Sequence, residues 1–313
     1  MRTKEFELLM RDGNELYTYK WEPEEGKEIL GAVQLVHGSC EHSKRYTGFA
    51  EFLTSNGFIV YSSDLRGHGF SVASKDDLGY LADKSGWNIV VEDLYEINKY
   101  IKAENPGIKV IMLGHSMGSF LARHYAISHG KELDGLIATG TAHNGGLILK
   151  LGLFLASRSI KKKGLKFRNL TLNSMSYDSF SNQFKPIRTK QDWLSRDEKI
   201  VDEYIEDDLC GFVFTNAAFK DMFEGLLFIT NRENIKRTPK ELPILLLSGD
   251  RDPVGGNGKM VVKAYEEYKT IGVEDVQMKL YKDMRHEILN EINKELVYKD
   301  ILVWINNILI TPR

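Results

Sequence analysis

The pentapeptide Gly114-His115-Ser116-Met117-Gly118 fits the pattern G-x-S-x-G, and its position constrains the fold more than its letters do. It follows directly on the apolar run Lys109 to Leu113 and directly precedes the helix-compatible stretch Ser119 to His129. A serine at a sharp strand-to-helix turn is held in a strained backbone conformation. Glycines two residues to either side keep such a turn free of side-chain clashes. The turn needs a sheet on one side and a covering helix on the other, so the remaining chain has to supply both.

It does so at both ends. Apolar runs bounded by turn residues predict strands at Glu15 to Trp21, Ile29 to Val36, Phe58 to Ser63, Lys109 to Leu113, Leu136 to Thr139, Ile244 to Ser248 and Val276 to Tyr281. Between them, Trp87, Val90, Val91, Leu94, Ile97 and Ile101 recur at helical spacing and predict one apolar stripe facing the sheet. Ile292, Leu296 and Ile305 suggest a closing helix. Strands alternating with helices define an α/β class with a mostly parallel sheet. From about Ala142 to Thr238 the rhythm breaks, with a basic run at Lys161 to Lys163, five acids within Asp202 to Asp208, and interleaved aromatics. The expected organisation is therefore a core of residues 1–141 and 238–313 interrupted by an inserted helical cap, residues 142–237. The cap's apolar stretch, Leu147, Ile148, Leu149, Leu151, Leu153, Phe154 and Leu155, reads either as buried core or as a lip that receives an acyl chain.

A serine hydroxyl is a weak nucleophile at neutral pH and needs a base to take its proton and a carboxylate to orient that base. After an elbow of this kind the acid comes next in the chain and the histidine last. The strand Ile244 to Ser248 runs into Gly249-Asp250-Arg251-Asp252-Pro253-Val254, which offers Asp250 and Asp252 at a strand's carboxyl end. His286, after the strand Val276 to Tyr281, is the one histidine that satisfies the order. The oxyanion formed on attack needs two backbone N–H donors. Met117, just after the nucleophile, supplies one, and Ser39, on the loop after the strand ending at Val36, is the choice for the other.

These segments together resemble the α/β-hydrolases of the monoacylglycerol lipase and lysophospholipase-like group, bacterial type. His37 to Tyr46 is similar to that family's oxyanion loop, Asp64 to Ser71 to a further loop of the fold, and Leu113 to Gly118 to its elbow. Gly249 to Val254 and His286-Glu287 complete the set in order. The resemblance implies an α/β-hydrolase fold and a triad of Ser116, Asp252 and His286, and it selects Asp252 over Asp250. It also implies that Glu41 and Arg45 contact a glycerol head group, against the alternative that they pair with each other. Cys40 stands where the family more often has glycine. Asp192 to Asp197 and Leu209 to Phe212 resemble caps of bacterial members. The Asp64 to Ser71 loop also resembles epoxide hydrolases and dehalogenases, whose aspartate nucleophile is replaced here by Ser116.

The expected reaction is hydrolysis of a carboxylic ester of a single-chain lipid, a monoacylglycerol or lysophospholipid, through an acyl-serine. Alternatives are a serine aminopeptidase of the same fold, with the Asp202 to Asp208 acids binding a substrate amine, and a binding module without turnover. With 42 Lys plus Arg against 44 Asp plus Glu, the net charge of −2 argues against a nucleic-acid partner. No cofactor or metal is expected, since the histidines and two cysteines show no paired zinc spacing. The start Met1-Arg2-Thr3-Lys4-Glu5 has no apolar run behind it and Leu147 to Ala156 falls short of the roughly 20 residues of a membrane span, so a cytoplasmic location with at most transient membrane contact through the cap is expected.

Overall fold

The computed structural model describes residues 1–143 and 145–310. Its strands are β1 (Arg2–Leu9), β2 (Glu15–Glu22), β3 (Gly31–Val36), β4 (Phe58–Ser63), β5 (Val110–His115), β6 (Gly135–Thr139), β7 (Ile244–Gly249) and β8 (Val276–Tyr281). Its helices are α1 (Thr47–Ser55), α2 (Gly86–Glu104), α3 (Met117–His129), α4 (Leu147–Lys163), α5 (Leu170–Asn173), α6 (Glu198–Glu206), α7 (Asn216–Thr230), α8 (Arg232–Ile235), α9 (Lys259–Thr270) and α10 (Lys294–Ile310). One sheet runs β1-β2-β4-β3-β5-β6-β7-β8. Strands β1, β2 and β4 pair antiparallel, and β4 through β8 pair parallel by way of β3.

Strands β3 to β7 are buried along their whole length, which is why they read as unbroken apolar runs rather than as alternation. Helices α1 and α10 cover one face through Phe49, Leu53, Tyr298, Ile301 and Ile305. Helices α2, α3 and α9 cover the other through Val90, Leu94, Leu121, Tyr125 and Tyr268. All six residues of the expected α2 stripe are buried.

Two expectations need correction. The strand β1 has no counterpart in the sequence reading, because Arg2, Lys4, Glu5 and Glu7 give it the charged look of a loop. Charge is what an edge strand carries to avoid pairing with other chains, and β1 is that edge. In α10 the buried stripe is Val297, Tyr298, Ile301, Trp304, Ile305 and Ile308, whereas Leu296 faces solvent and Ile292 lies exposed before the helix.

Helices α4 to α8 all fall between β6 and β7. Helix α4 lies so close to α7 that a Cβ added at Gly152 would stand 2.7 Å from the Phe223 ring. The apolar stretch at 147–155 divides between its two readings. Leu149, Gly152 and Ala156 are buried, while Leu147 is 85 % exposed and Ile148, Leu151 and Phe154 are exposed as well. Among the described residues no helix is long and apolar enough to cross a membrane.

Candidate active site

The parallel register brings four loops to one edge of the sheet, because Val36 pairs with Gly114, His115 with Thr139, and Gly249 with Tyr281. The loop after β3 carries Ser39, the turn after β5 carries Ser116, the loop after β7 carries Asp252, and the loop after β8 carries His286.

Ser116 has φ 51° and ψ −121°, a left-handed backbone that a non-glycine residue occupies only under constraint. Close packing is the constraint. A Cβ at Gly114 would lie 2.3 Å from the carbonyl oxygen of Gly118, and one at Gly118 would lie 2.1 Å from that of Val36. The two glycines therefore let helix α3 start against β5 and β3, and the serine between them absorbs the strain. Ser116 N–H donates to Thr139 O at 2.9 Å, and Ser119 Oγ donates to Ser116 O at 2.6 Å.

Asp252 and His286 are both buried and joined by a 2.9 Å hydrogen bond from Nδ1 to Oδ1. Asp252 is held in turn by the Val254 N–H at 2.9 Å and the Ser248 hydroxyl at 3.1 Å. Asp250 instead accepts from the Asp283 N–H at 2.7 Å, away from the histidine. Burial alone would lower the His286 pKa, but the charge of Asp252 and its hydrogen bond raise it above the ordinary imidazole value. Its Nε2 is buried without a partner among the described residues, and both His286 and Ser116 line one cavity. The neighbouring His115 ring, 4.7 Å away, is pushed down to about 4 by burial and by His286, so it stays neutral.

Glu41 and Arg45 are paired with each other, and of the two Glu41 lines the cavity at Ser116. Glu41 accepts the Gly38 N–H at 2.6 Å and the Tyr46 hydroxyl at 2.7 Å, and pairs with Arg45. Arg45 also forms a two-pronged pair with Glu287 at 2.8 and 2.7 Å. Burial would raise Glu287, but Arg45 outweighs it and holds the carboxyl below the usual carboxylate range. The alternative of mutual pairing is thus what is found: Arg45 is a bracket between the Ser39 loop and the His286 loop, and it faces a separate surface cavity. Nothing local in the sequence pointed to Glu287 as its partner, 242 residues away.

The inserted segment grips the same two loops. Tyr204 Oη and the Gly211 N–H both donate to the Cys40 carbonyl at 2.9 Å. The N–H groups of His286 and Glu287 donate to the carbonyls of Trp193 and Leu194 at 3.3 and 2.7 Å. Cys40 itself sits at φ 56°, a conformation glycine adopts without strain, which accounts for the commoner glycine there.

Two cavities meet at Ser116. One, of about 230 Å³, is lined by Glu41, His115, Asn173, Lys190, Gln191, Tyr204, His286 and Glu287. The other, of about 360 Å³, is lined by Met117, Phe120, Ile148, Leu149, Leu151, Leu172, Met222, Phe223, Leu226, Val254 and Met260. Ser39, Tyr177 and Trp193 line both. Tyr177 and Trp193 were missed as site residues; the only sequence signal was the likeness of Asp192 to Asp197 to other caps. Among the described residues, none of the acids from Asp202 to Asp208 lines either cavity. Asp202 pairs with Arg188, Asp207 with His42 and Asp208 with Lys75.

Comparison with known proteins gives a consistent family picture. Residues 27–293 match the family described as "Serine aminopeptidase, S33". The chain is 26 % identical to a monoacylglycerol lipase of Mycolicibacterium smegmatis, over 91 % of this chain and 90 % of that protein. It is likewise 26 % identical to the monoglyceride lipase of Homo sapiens, over 96 % and 89 %. Among solved structures, a highly thermostable carboxyl esterase from Bacillus coagulans, in complex with glycerol, superposes with a TM-score of 0.91 at 28 % identity, covering 99 % of this chain and all of that one.

Proposed function

The chain belongs to the Serine aminopeptidase, S33, family of α/β-hydrolases, and from that premise we propose that it is a carboxylic ester hydrolase acting on single-chain lipid esters, monoacylglycerols first. The observation that carries this reading is the meeting of a polar and an apolar cavity at Ser116. An acyl chain fits the apolar side and a small hydroxylated head group the polar side, with the ester carbonyl between them.

In this reading Ser116 Oγ attacks the ester carbon while His286 Nε2 takes its proton. Asp252 keeps the imidazole in the right tautomer and stabilises the imidazolium. The N–H groups of Ser39 and Met117 receive the oxyanion. His286 returns the proton to the departing alcohol, leaving an acyl-Ser116. Water, deprotonated by the same histidine, then releases the fatty acid. Residues 142–237 act as the cap that closes over the acyl chain. Glu41, Arg45 and Glu287 position the two loops, and Glu41 and Glu287 also line the cavity that takes the head group.

The acids once considered as amine ligands are occupied on the outer surface, which weakens the aminopeptidase reading. The deciding experiment compares medium-chain monoacylglycerol, lysophosphatidylcholine and an aminoacyl amide, with Ser116→Ala as the blank. Serine-dependent turnover favouring monoacylglycerol is expected. Turnover of the amide alone would overturn the substrate, and ligand binding with no turnover would make the protein a binding module.

A further inference from the structure

A second cluster of reactive side chains joins the core to the cap away from Ser116. His42 stands on the loop after β3, and Asp207 and Cys210 on the turn that leaves α6, with His42 and Asp207 165 residues apart. One donor atom from each of the three lies within 4.8 Å of the others. The turn that holds the two cap residues is tight: Cys210 N–H donates to Asp207 O at 2.9 Å and Leu209 N–H to Asp207 Oδ1 at 2.8 Å. Asp207-Asp208-Leu209-Cys210 thus has the two-residue gap by which one turn commonly offers paired zinc ligands.

We propose that His42, Asp207 and Cys210 form a binding site for a thiophilic divalent cation, zinc by preference, that straps the cap to the loop carrying Ser39. One imidazole, one carboxylate and one thiolate suit zinc and exclude calcium and magnesium, which take oxygen ligands. In the structure His42 Nε2 and Asp207 Oδ2 are 2.8 Å apart, and His42 Nδ1 is buried with no partner among the described residues. On binding, the cation enters between Nε2 and Oδ2, and the imidazole proton moves from Nε2 to Nδ1. The Cys210 thiol releases its proton to water as the metal–sulfur bond forms, so one proton leaves per metal and no electron is transferred. Three protein ligands leave a fourth position for water.

A surface cavity of about 230 Å³ lined by His42, Lys44, Arg45, Glu203 and Asp207 gives access to the imidazole and the carboxylate. Arg45, on the wall of that cavity, has its charge balanced by Glu41 and Glu287. The expectation of no metal arose because the sequence holds the histidine far from the other two. The site adds a metal–ligand tie to a seam where Tyr204 and Gly211 donate to the Cys40 carbonyl and Arg45 stacks on the Tyr204 ring.

The full-length protein, stripped with chelator and titrated with Co²⁺, should bind one ion per chain with a sulfur-to-cobalt charge-transfer band that Zn²⁺ abolishes by displacement. Cys210→Ser should lose the band and weaken Zn²⁺ binding by more than the roughly 10–100-fold that loss of an outer partner costs. Asp207→Asn should weaken it too, whereas Cys40→Ser and Ser116→Ala should keep the band. Zn²⁺ should raise the melting temperature of the unaltered protein but not of Cys210→Ser. No saturable band in the unaltered protein, a band that survives Cys210→Ser, or one that disappears with Cys40→Ser would overturn the site. None of these readouts depends on ester turnover.

Discussion

The two cavities that meet at Ser116 are built by different means. The polar one sets core loops, whose charged side chains are already paired (Glu41 and Glu287 with Arg45, His286 with Asp252), against inserted residues such as Asn173, Tyr177, Gln191 and Tyr204. The apolar one is framed largely by the inserted helices α4 and α7, through Leu149, Leu151, Met222, Phe223 and Leu226. Paired buried charges tolerate little movement, because separating them leaves an uncompensated charge out of water. Apolar contacts are non-directional and can be repacked at modest cost. Under the proposed function the difference places the chemistry on a rigid ionic frame of core loops and the acyl-chain fit on inserted helices that are freer to vary.

Changes at the junction and in each cavity test that contrast. Ser116→Ala should cost roughly 10⁴ to 10⁶ in turnover while leaving lipid binding in the apolar cavity intact, as measured by fluorescent fatty-ester titration. Residual turnover well above that would remove Ser116 from the chemistry. Next comes Arg45→Met, which leaves Glu41 and Glu287 buried without a counter-charge. It should destabilise the fold by about 3–5 kcal/mol in urea unfolding. It should also lower kcat more than it raises KM, because both loops lose their bracket. An unchanged unfolding midpoint would mean that the frame is not rigid.

On the apolar side, Gly152→Val drives a side chain into the Phe223 ring and should cost about 1–3 kcal/mol. Its kinetic signature should be a rise in KM for long-chain esters with acetyl esters little affected; an equal loss for both would place the damage in the polar frame. Acidity reaches the proposed chemistry through His286. His286 works as a base only when neutral and its pKa is raised, so kcat/KM should fall about tenfold per unit as pH drops through a midpoint above 6.5. The same raised value contributes stability that is present at low pH and lost as pH rises through it. A midpoint below 6.5 would break the assignment of Asp252 as its partner. Lys190, on the rim of the polar cavity and paired only at 3.9 Å with Asp178, should matter least, with Lys190→Ala changing KM by less than about 1 kcal/mol equivalent.

What could be read in the chain follows from how each feature is encoded. The elbow was legible because its requirements are local: a strand, a strained serine and two glycines where a Cβ would collide, all within a few residues. The buried strands β3 to β7 were legible as apolar runs, and the α2 stripe as a period. The edge strand β1 was not, since its charges serve to keep other chains away rather than to pack against this one.

Sequence order alone narrowed the base to His286 and left two carboxylates; the family resemblance chose Asp252, and the tertiary structure brings that side chain, not Asp250, against the imidazole. The same holds for Arg45, whose partner Glu287 comes from the far end of the chain, and for His42, which meets Asp207 and Cys210 only when the cap folds back. Backbone sterics and hydrophobic period are written in neighbouring residues. Which charges meet is decided by how the sheet edge gathers distant loops, and no local pattern records that.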